Sequence, residues 1–252
     1  MRSDFSPMMI LGTLINVFGI LFAAAFVGIW RRHFSASTQN SLRTLMAIVT
    51  LLAGLHLFWT HIGGGFLRTL QQILIVMISL SLGSLTGFLL GLQKGSNALG
   101  RYASDLMERA TKTGKRRFQD GFITTSILFC VAPLCFLGAV QEGLVGDWRS
   151  FAIKSCIDGL SIMAFVGVFG WSVVWVALPV LAWQGSLTLG VRLLAPWLTQ
   201  HDLVQPVIAT SGMILCAVSL QIFQATKIRV TDYLPSLILA PCFAWLWHRL
   251  LG

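Results

Sequence analysis

The chain has 252 residues, of which 56% are hydrophobic and only 11% are charged, and its mean hydropathy is +0.78. Since a soluble globular domain carries about 25% charged residues, this balance excludes an extramembrane catalytic domain and predicts one all-α, polytopic membrane bundle over residues 1–252. The net charge of +9 comes from basic residues dispersed over short loops, which indicates membrane topology rather than nucleic-acid binding.

Eight apolar runs are long enough to cross the roughly 30 Å of hydrocarbon in a bilayer, which takes about 20 helical residues. The predicted spans cover residues 8–30, 42–62, 70–92, 122–140, 151–170, 173–194, 203–225 and 233–251. The boundary between the fifth and sixth spans, at residues 169–172, is the weakest, so the span count depends on it. Because the first run is too long for the apolar region of a signal peptide and ends in Arg31-Arg32, we expect it to remain in the mature protein.

The loops after the first, third and seventh spans hold most of the Lys and Arg residues. By the positive-inside rule, these loops face the cytoplasm and both termini face outward. The longest of these loops, at about 93–121, has apolar residues at helical spacing from Asn97, which is a candidate N-cap. It is predicted to be either an amphipathic helix at the membrane interface or a solvated loop.

Small residues recur every four positions along the third span, at Ser79, Gly83, Gly87, Gly91 and Gly95. This glycine stripe lies on one helix face and lets another backbone approach closely. The approaching helix belongs either to the same chain or to a second copy. Gly83, Gly87 and Gly91 are therefore candidate contacts for a homo-oligomer.

Prolines interrupt the fourth, sixth and eighth spans, at Pro133, Pro179 and Pro241. A broken helix inside a bundle either lines a polar cavity or is a simple kink. Residues 46–58 also resemble residues 211–223, and the two segments lie in spans that are predicted to run in opposite directions. Spans one to three and six to eight are therefore candidate inverted repeats, an arrangement common in transporters.

One acidic residue lies plainly inside a span. Asp158 follows the start of the fifth span by about 10 Å, since each helical residue rises 1.5 Å. A lone carboxylate at that depth costs at least a few kcal/mol, so it needs a partner, a cavity or a proton. Lys154 lies four residues earlier on the same helix face, and its stem can reach the outer interface. The two residues are either a functional pair on a ligand or proton path, or a neutralised pair that only makes insertion tolerable.

Other polar residues lie within the spans or at their ends: Asn16, Gln141, Glu142, Gln184 and Gln221. Each is hard to leave unpaired in an apolar interior. One amide alone is usually a contact between helices. Together with Asp158, however, these residues predict a polar route through the bundle.

The sequence has no serine-hydrolase, metallopeptidase, P-loop or dinucleotide-binding motif. His56 and His61 are five residues apart and do not share a helix face, so they do not form a metal pair. We therefore expect no enzymatic activity, no metal and no cofactor.

Several short stretches together resemble a known family. They are Gly12-Thr-Leu-Ile-Asn16, residues 137–147 (LGAVQEGLVGD), Lys154-Ser-Cys-Ile-Asp158, Gln184-Gly185 and Tyr233-Leu-Pro-Ser236. Over nearly the whole chain this pattern resembles the bacterial membrane family called domain of unknown function 554, of the YqgA and YdfK type. The resemblance implies a multi-pass inner-membrane protein with no known cofactor and no established activity.

The resemblance also marks motif positions without roles, namely Asn16, Gln141, Glu142, Asp147, Lys154 and Asp158. The chain departs from the family pattern at the end of the third span. Where that pattern has acidic residues, this chain has Phe88 and Gln93. A family mechanism that needed a carboxylate at that position would not carry over.

We therefore predict a small-solute or ion transporter or channel of the bacterial cytoplasmic membrane. Its polar site lies near the outer half and is built from Asp158, Lys154, Glu142, Gln141 and Asn16, with Asp147 as a further candidate. Asp158 would carry a proton or a cation, and Lys154 would control its charge. The expected partners are the lipid bilayer and an unknown small solute or ion, and no nucleic acid.

The alternative is a non-transporting membrane scaffold that assembles through the glycine stripe and the basic loop. A water-accessible cavity that reaches Asp158 favours transport. A sealed bundle in which Lys154 and Asp158 satisfy each other favours the scaffold.

Overall fold

The computed structural model describes residues 10–30, 35–113, 118–224 and 227–250, which are helical and contain no strand. The helices are α1 (Leu11–Trp30), α2 (Ala36–Thr60), α3 (Phe66–Leu90), α4 (Leu92–Thr113), α5 (Phe118–Val131), α6 (Pro133–Val145), α7 (Arg149–Phe169), α8 (Ala177–Gln200), α9 (Val204–Ile222) and α10 (Ser236–Leu250). Two 3-10 segments, Gly170–Val176 and Val230–Tyr233, precede α8 and α10. The ends of the predicted spans at residues 8, 225 and 251, and the basic residues at 31–32 and 115–117, lie outside the described residues.

By length and apolar composition, five stretches of the described residues can cross a membrane, or six if α5 and α6 form one bent span. The five are Leu11–Ile29, Ser37–Thr60, Phe66–Leu90, Arg149–Gln200 and Val204–Ile222. The chain is therefore a helical membrane protein, as predicted, whereas the number of eight spans stays a prediction. At 15 residues, α10 extends only about 22 Å, which is short for a full crossing.

The long stretch Arg149–Gln200 folds back on itself. In a straight helix, Asp158 and Gln184 would lie about 39 Å apart. Both side chains instead bond the same Nδ2 group of Asn16, at 3.3 and 3.1 Å. Gly170, with a φ of 73°, ends α7, and the first 3-10 segment leads into α8. The chain thus reverses at the predicted boundary around residues 169–172.

Helices α1 and α8 run antiparallel. Near the start of α1, Asn16 contacts Gln184 of α8. Near its end, Gly28 packs against Trp171, just ahead of α8, because a Cβ added at Gly28 would lie 2.2 Å from the indole ring. The first and eighth helices therefore share one polar contact in the interior and one tight contact at the turn.

Helices α2 and α9 also run antiparallel, with their backbones in contact. A Cβ added at Gly54 would lie 2.7 Å from the carbonyl oxygen of Gly212, and one added at Gly212 would lie 2.7 Å from that of Gly54. Gly54 also contacts Cys216, and Gly212 also contacts Phe58. Since the later residue of α2 contacts the earlier residue of α9, the two helices run in opposite directions. In lipid the hydrophobic effect does not drive helices together, so close packing through small residues contributes to their association.

The glycine stripe of α3 packs within the chain. A Cβ added at Gly83 would lie 2.0 Å from the Ser236 hydroxyl, and one added at Gly87 would lie 2.1 Å from the Asp232 carbonyl oxygen. Helix α3 therefore runs antiparallel to the second 3-10 segment and α10. Gly91 ends α3 with a φ of 68°, a conformation that favours glycine.

The predicted basic loop is a helix over residues 92–113. It begins at Leu92, so the prediction that Asn97 starts the helix is wrong. The reason is a cap from a distant part of the chain, because Asp232 accepts the backbone hydrogen bond of Gln93 in the first turn. Asn97 instead accepts a side-chain hydrogen bond from Gln93 at 2.9 Å.

The three prolines have different consequences. Pro133 separates α5 from α6, and the two helices are bent by 54° at this break. Pro179 does not interrupt a span, contrary to the prediction, because α8 begins at Ala177 and proline fits the first turn of a helix. Pro241 lies inside α10.

Candidate functional site

Four polar side chains meet in the interior, and we call them the central cluster: Asn16 of α1, Lys154 and Asp158 of α7, and Gln184 of α8. Lys154 donates a hydrogen bond to Asp158 and forms an ion pair with it. The Nδ2 group of Asn16 donates to Asp158 Oδ2 at 3.3 Å and to Gln184 Oε1 at 3.1 Å. The side chains of Lys154 and Asp158 are 1% and 7% exposed, and the two amides are fully buried. The central cluster is therefore sealed from its surroundings.

A close parallel contact between α1 and α7 places Asn16 beside Asp158. A Cβ added at Gly19 would lie 1.9 Å from the Ser155 hydroxyl, so only glycine allows this approach. The hydroxyl of Ser155 in turn donates to the carbonyl oxygen of Ile15 at 3.1 Å. With the two backbones held together, Asn16 faces Asp158 in the third turn of α7.

Two polar atoms of the central cluster have no hydrogen-bond partner in the part of the chain that the structure describes. They are Asn16 Oδ1 and Gln184 Nε2, and the latter has only the thiol of Cys135, a weak acceptor, beside it. The orientation of the amides follows from Asp158, since its carboxylate accepts and must face the Nδ2 group of Asn16. Gln184 then has to present its oxygen to the same Nδ2 group. An acceptor and a donor are left over, and leaving such groups unpaired in an apolar interior is costly.

The break between α5 and α6 adjoins the central cluster. Phe129 of α5 lies under the Lys154 ammonium, which is 5.6 Å from the ring centroid. Since Pro133 has no N–H, the break leaves backbone carbonyls without helical partners. One of them, that of Cys130, accepts a hydrogen bond from the Trp183 indole at 3.1 Å. The α5 side of the break thus lies against the buried charge pair.

Glu142 forms a second buried site at the start of α1. Its carboxylate accepts a hydrogen bond from the backbone N–H of Gly12 and one from the Thr13 hydroxyl at 3.4 Å. The fully buried ring of Phe151 lies between Gly12 and Gly138, since a Cβ on either glycine would come within 2.8 Å of it. Glu142 follows Gly138 by one turn of α6, so this packing aims its carboxylate at the helix N-terminus, where the helix dipole favours a negative charge.

Comparison with known proteins identifies the family. The model of a family described as "Protein of unknown function (DUF554)" matches residues 11–245. The chain belongs to this family. It is 24% identical over 237 residues to "Uncharacterized membrane protein YdfK" of Bacillus subtilis (strain 168), which covers 94% of this chain and 96% of that protein. It is also 24% identical over 242 residues to "Uncharacterized protein YqgA" of Escherichia coli (strain K12), with 95% and 98% covered. No solved structure matches the chain.

Two other predicted site residues of this DUF554 protein, Gln141 and Asp147, bond to groups outside the central cluster. Gln141 donates to the Ser211 hydroxyl at 3.2 Å and accepts from the Ser150 hydroxyl, so it ties α6 to α9 and α7. Asp147 accepts from the backbone N–H of Arg149 at 2.9 Å and stabilises the start of α7. The structure therefore brings Asn16, Lys154 and Asp158 together in the central cluster. Gln141 instead lies in a contact between helices, and Glu142 and Asp147 cap the starts of α1 and α7. Gln221, at the end of α9, is exposed.

The DUF554 chain has a further buried acid, Asp232, which was not predicted as a site residue. Its carboxylate accepts from the backbone N–H of Gln93 at 2.9 Å and pairs with Arg229 Nε at 2.8 Å. The side chain of Gln93 accepts in return from the Thr231 N–H at 3.2 Å, and the Arg229 guanidinium stacks 4.8 Å from the ring centroid of Phe88. The signal that could have found it is the Arg229 to Asp232 spacing, which puts both on one helical face. This carboxylate contacts Gln93, one of the two positions where the family resemblance implied an acidic residue.

Proposed function

We propose that this DUF554 protein is a transporter or channel for a small solute or ion, and that the structure is its occluded state. The observation that carries the proposal is the unpartnered acceptor and the unpartnered donor beside the buried charge pair, since the sealing of the cluster by itself is the outcome that favours a scaffold. Intramembrane charges tend to mark solute or proton paths. A purely structural pair would not need two further buried amides that are only half satisfied.

The adjoining helix break supports this proposal. Transport sites are typically formed near the bilayer midplane by discontinuous helices. Here Pro133 breaks the α5–α6 pair beside Lys154. A break of this kind is a place where two helical halves can move relative to each other and admit a solute.

A polar pocket on the far side of the break supports an access route. It has a volume of about 450 Å³ and lies between α4, the break and the end of α9. It is lined by the polar residues Gln93, Asn97, Arg101 and Gln221 and by Ala132 and Pro133 at the break. The broken segment contributes to both sites, since Ala132 and Pro133 line the pocket and Phe129 contacts Lys154 of the central cluster. Movement at Pro133 would then open the cluster to the end of the protein where the basic helix α4 lies.

The pairing of the helices supports the inverted-repeat part of the proposal. Helix α1 lies antiparallel to α8, α2 to α9, and α3 to α10. A twofold axis in the membrane plane relates such pairs when two halves of a transporter have opposite topology. The proposed repeats are α1–α3 and α8–α10, and the central helices lie between them in the sequence.

Transport by reconstituted protein tests the proposal. The Asp158→Asn variant keeps the shape of the side chain but removes its negative charge. We expect it to lose at least tenfold in flux of the solute that wild type moves, measured in liposomes loaded in turn with protons, Na⁺, K⁺, glycine or acetate. The matched control is Glu108→Gln, since Glu108 pairs with Lys112 at the same four-residue spacing but on the exposed face of α4. Equal flux of every probe in wild type and a folded Asp158→Asn variant would overturn the proposal.

A scaffold is the second candidate, and the mutual burial of Lys154 and Asp158 favours it. Such a scaffold would need a free helix face for assembly. Gly83 and Gly87, however, are covered by Ser236 and Asp232 of the same chain. The glycine stripe is thus occupied at Gly83 and Gly87, although a Cβ added at Gly91 or Gly95 would meet no atom within 4 Å, and we favour transport. If Asp158→Asn lowers folding yield and changes no flux, the scaffold is the better account.

A further inference from the structure

We propose that the central cluster binds a zwitterion of the α-amino acid type, one that carries an ammonium and a carboxylate on the same carbon atom. This inference rests on the proposed function and narrows it to a solute class. Three features of the structure lead to it: the charge balance of the cluster, the chemistry of its unpartnered atoms, and an open space beside Gly185.

The charge balance favours a solute with no net charge. Lys154 and Asp158 carry opposite charges and together are neutral, and both are almost fully buried. Adding a simple cation or anion would leave a net charge in a sealed, low-dielectric interior, which is strongly unfavourable. A zwitterion brings one charge of each sign. When the Lys154–Asp158 pair opens around it, one ion pair becomes two and the net charge stays zero.

The unpartnered atoms match the two ends of such a solute. Lys154 Nζ and Gln184 Nε2 are donors, and a carboxylate accepts from both kinds of group. Asp158 and Asn16 Oδ1 are acceptors, and an ammonium donates three hydrogen bonds. Asn16 Oδ1 and Gln184 Nε2 have no partner among the described residues. A zwitterion would therefore satisfy groups that the closed cluster leaves unsatisfied, whereas a bare ion would satisfy only one of the two.

Open space adjoins Gly185, the residue that follows Gln184 on α8. Gly185 is buried, yet a Cβ added there would meet no atom within 4 Å. The buried Gly12 and Gly87 behave differently, since a Cβ on either would overlap a neighbour. This space limits the solute by size, so we expect glycine and alanine to bind better than large amino acids.

Binding to purified protein in detergent tests the inference. We expect glycine and L-alanine to raise the thermal unfolding midpoint of wild type. The singly charged analogues propionate and methylammonium should bind at least tenfold more weakly. In Asp158→Asn the site keeps the Lys154 charge alone, so its preference should switch from alanine to propionate. In Lys154→Met the site keeps the Asp158 charge alone, so its preference should switch from alanine to methylammonium. Wild-type protein that binds propionate or methylammonium as tightly as alanine would overturn the inference.

A second pair of variants tests the space without changing a charge. Gly185→Leu should lower alanine affinity at least tenfold by filling the open space at this position. The matched control is Gly190→Leu on the same helix, because a Cβ at the exposed Gly190 also meets no atom within 4 Å. Equal alanine affinity in wild type and Gly185→Leu would contradict the placement of the solute.

The transport assay separates the failure of this inference from that of the proposed function. If Na⁺, K⁺ or acetate moves in an Asp158-dependent way and no zwitterion does, the zwitterion inference is wrong and the transporter proposal stands. If no flux depends on Asp158, both are wrong.

Discussion

Two buried carboxylates in this protein do the same local task at opposite ends of the bundle. Glu142 accepts the backbone hydrogen bond of Gly12 at the start of α1, and Asp232 accepts that of Gln93 at the start of α4. In each case the acid and the helix it caps lie more than a hundred residues apart in sequence. Both side chains are buried. Each carboxylate thus joins two distant parts of the chain by satisfying a helix N-terminus.

The two sites differ in how their charge is balanced. Asp232 has a basic partner, Arg229, whose side chain is 41% exposed. Glu142 has no ion pair with any described residue, and its second contact is the neutral Thr13 hydroxyl. The charge at Asp232 is therefore balanced by a group that water can reach. Within the described residues, the charge at Glu142 is balanced by the helix dipole and hydrogen bonds, so its removal leaves none of their cations unpaired.

The packing around the two sites differs as well. At the Asp232 end, Gly87 lies directly against the backbone of Asp232, where an added Cβ would be 2.1 Å from the carbonyl oxygen. At the Glu142 end, Gly12 lies against the Phe151 side chain, where an added Cβ would be 2.8 Å from the ring. A side chain can shift more easily than a backbone can. The Asp232 junction should therefore tolerate less change than the Glu142 junction.

The largest expected effect comes from alanine at these glycines. Gly87→Ala should lower the free energy of unfolding by about 3 kcal/mol, the upper end for overpacking, because neither backbone can move away. Gly12→Ala should cost about 1 kcal/mol, since the Phe151 ring can move and alanine favours the helix. Denaturation in mixed detergent micelles measures both values.

Gly95→Ala on α4 is the control, because a Cβ there would meet no atom within 4 Å. It should be neutral or slightly stabilising. If Gly12→Ala proves as costly as Gly87→Ala, the contrast between a backbone contact and a side-chain contact does not hold.

The next effect concerns Asp232 itself. Asp232→Ala removes the cap on Gln93 and the partner of Arg229, and should cost about 2 kcal/mol. Asp232→Asn keeps an acceptor for the Gln93 N–H and should cost about 1 kcal/mol, since the half-exposed Arg229 can turn to water. Thermal unfolding of both variants measures the difference. Equal costs would mean that the cap contributes nothing and that the ion pair alone holds the junction.

Local spacing made part of the site predictable. The four-residue separation of Lys154 and Asp158 puts both on one helix face, and the structure pairs them. The pairing of Asp158 with Asn16 and Gln184 depends on the rotation of three helices about their axes, which no local pattern contains. Residue type indicated that these amides needed partners, but it could not name the partners.

Asp232 was missed for the opposite reason. It follows a basic residue outside any long apolar run, where a carboxylate is normally solvated. Its burial comes from α3, whose Gly87 lets the second 3-10 segment come close. The start of α4 depends on the same contact, so the helix start was predicted at Asn97 instead of Leu92. Helix boundaries that are set by distant caps cannot be found from neighbouring residues.

The span count shows the same limit on a larger scale. Hydropathy found apolar runs at 122–140 and 233–251, but it could not show that the first is bent by 54° at Pro133 or that α10 has only 15 residues. Hydropathy did predict a boundary between two spans near Gly170. The chain reverses there because Gly170, a glycine with a positive φ, ends α7. Breaks that a single residue causes are visible in sequence, whereas the length of a packed helix depends on its neighbours.

The smallest expected effect, and the sharpest test of the comparison, is Glu142→Gln beside Asp232→Asn at two salt concentrations. Glutamine keeps an acceptor for the Gly12 N–H and loses only the attraction to the helix dipole, so it should cost about 0.5 kcal/mol.

From about 0.1 M to about 1 M salt the Debye length falls from about 10 Å to about 3 Å. Wild type should then lose part of the attraction between Asp232 and the half-exposed Arg229, which narrows its gap to Asp232→Asn. The gap between wild type and Glu142→Gln should not change, because the buried Glu142 has no described charge partner that salt can reach. A salt-dependent Glu142→Gln effect would show that a basic group outside the described residues balances this carboxylate, and the two ends of the bundle would then be built alike.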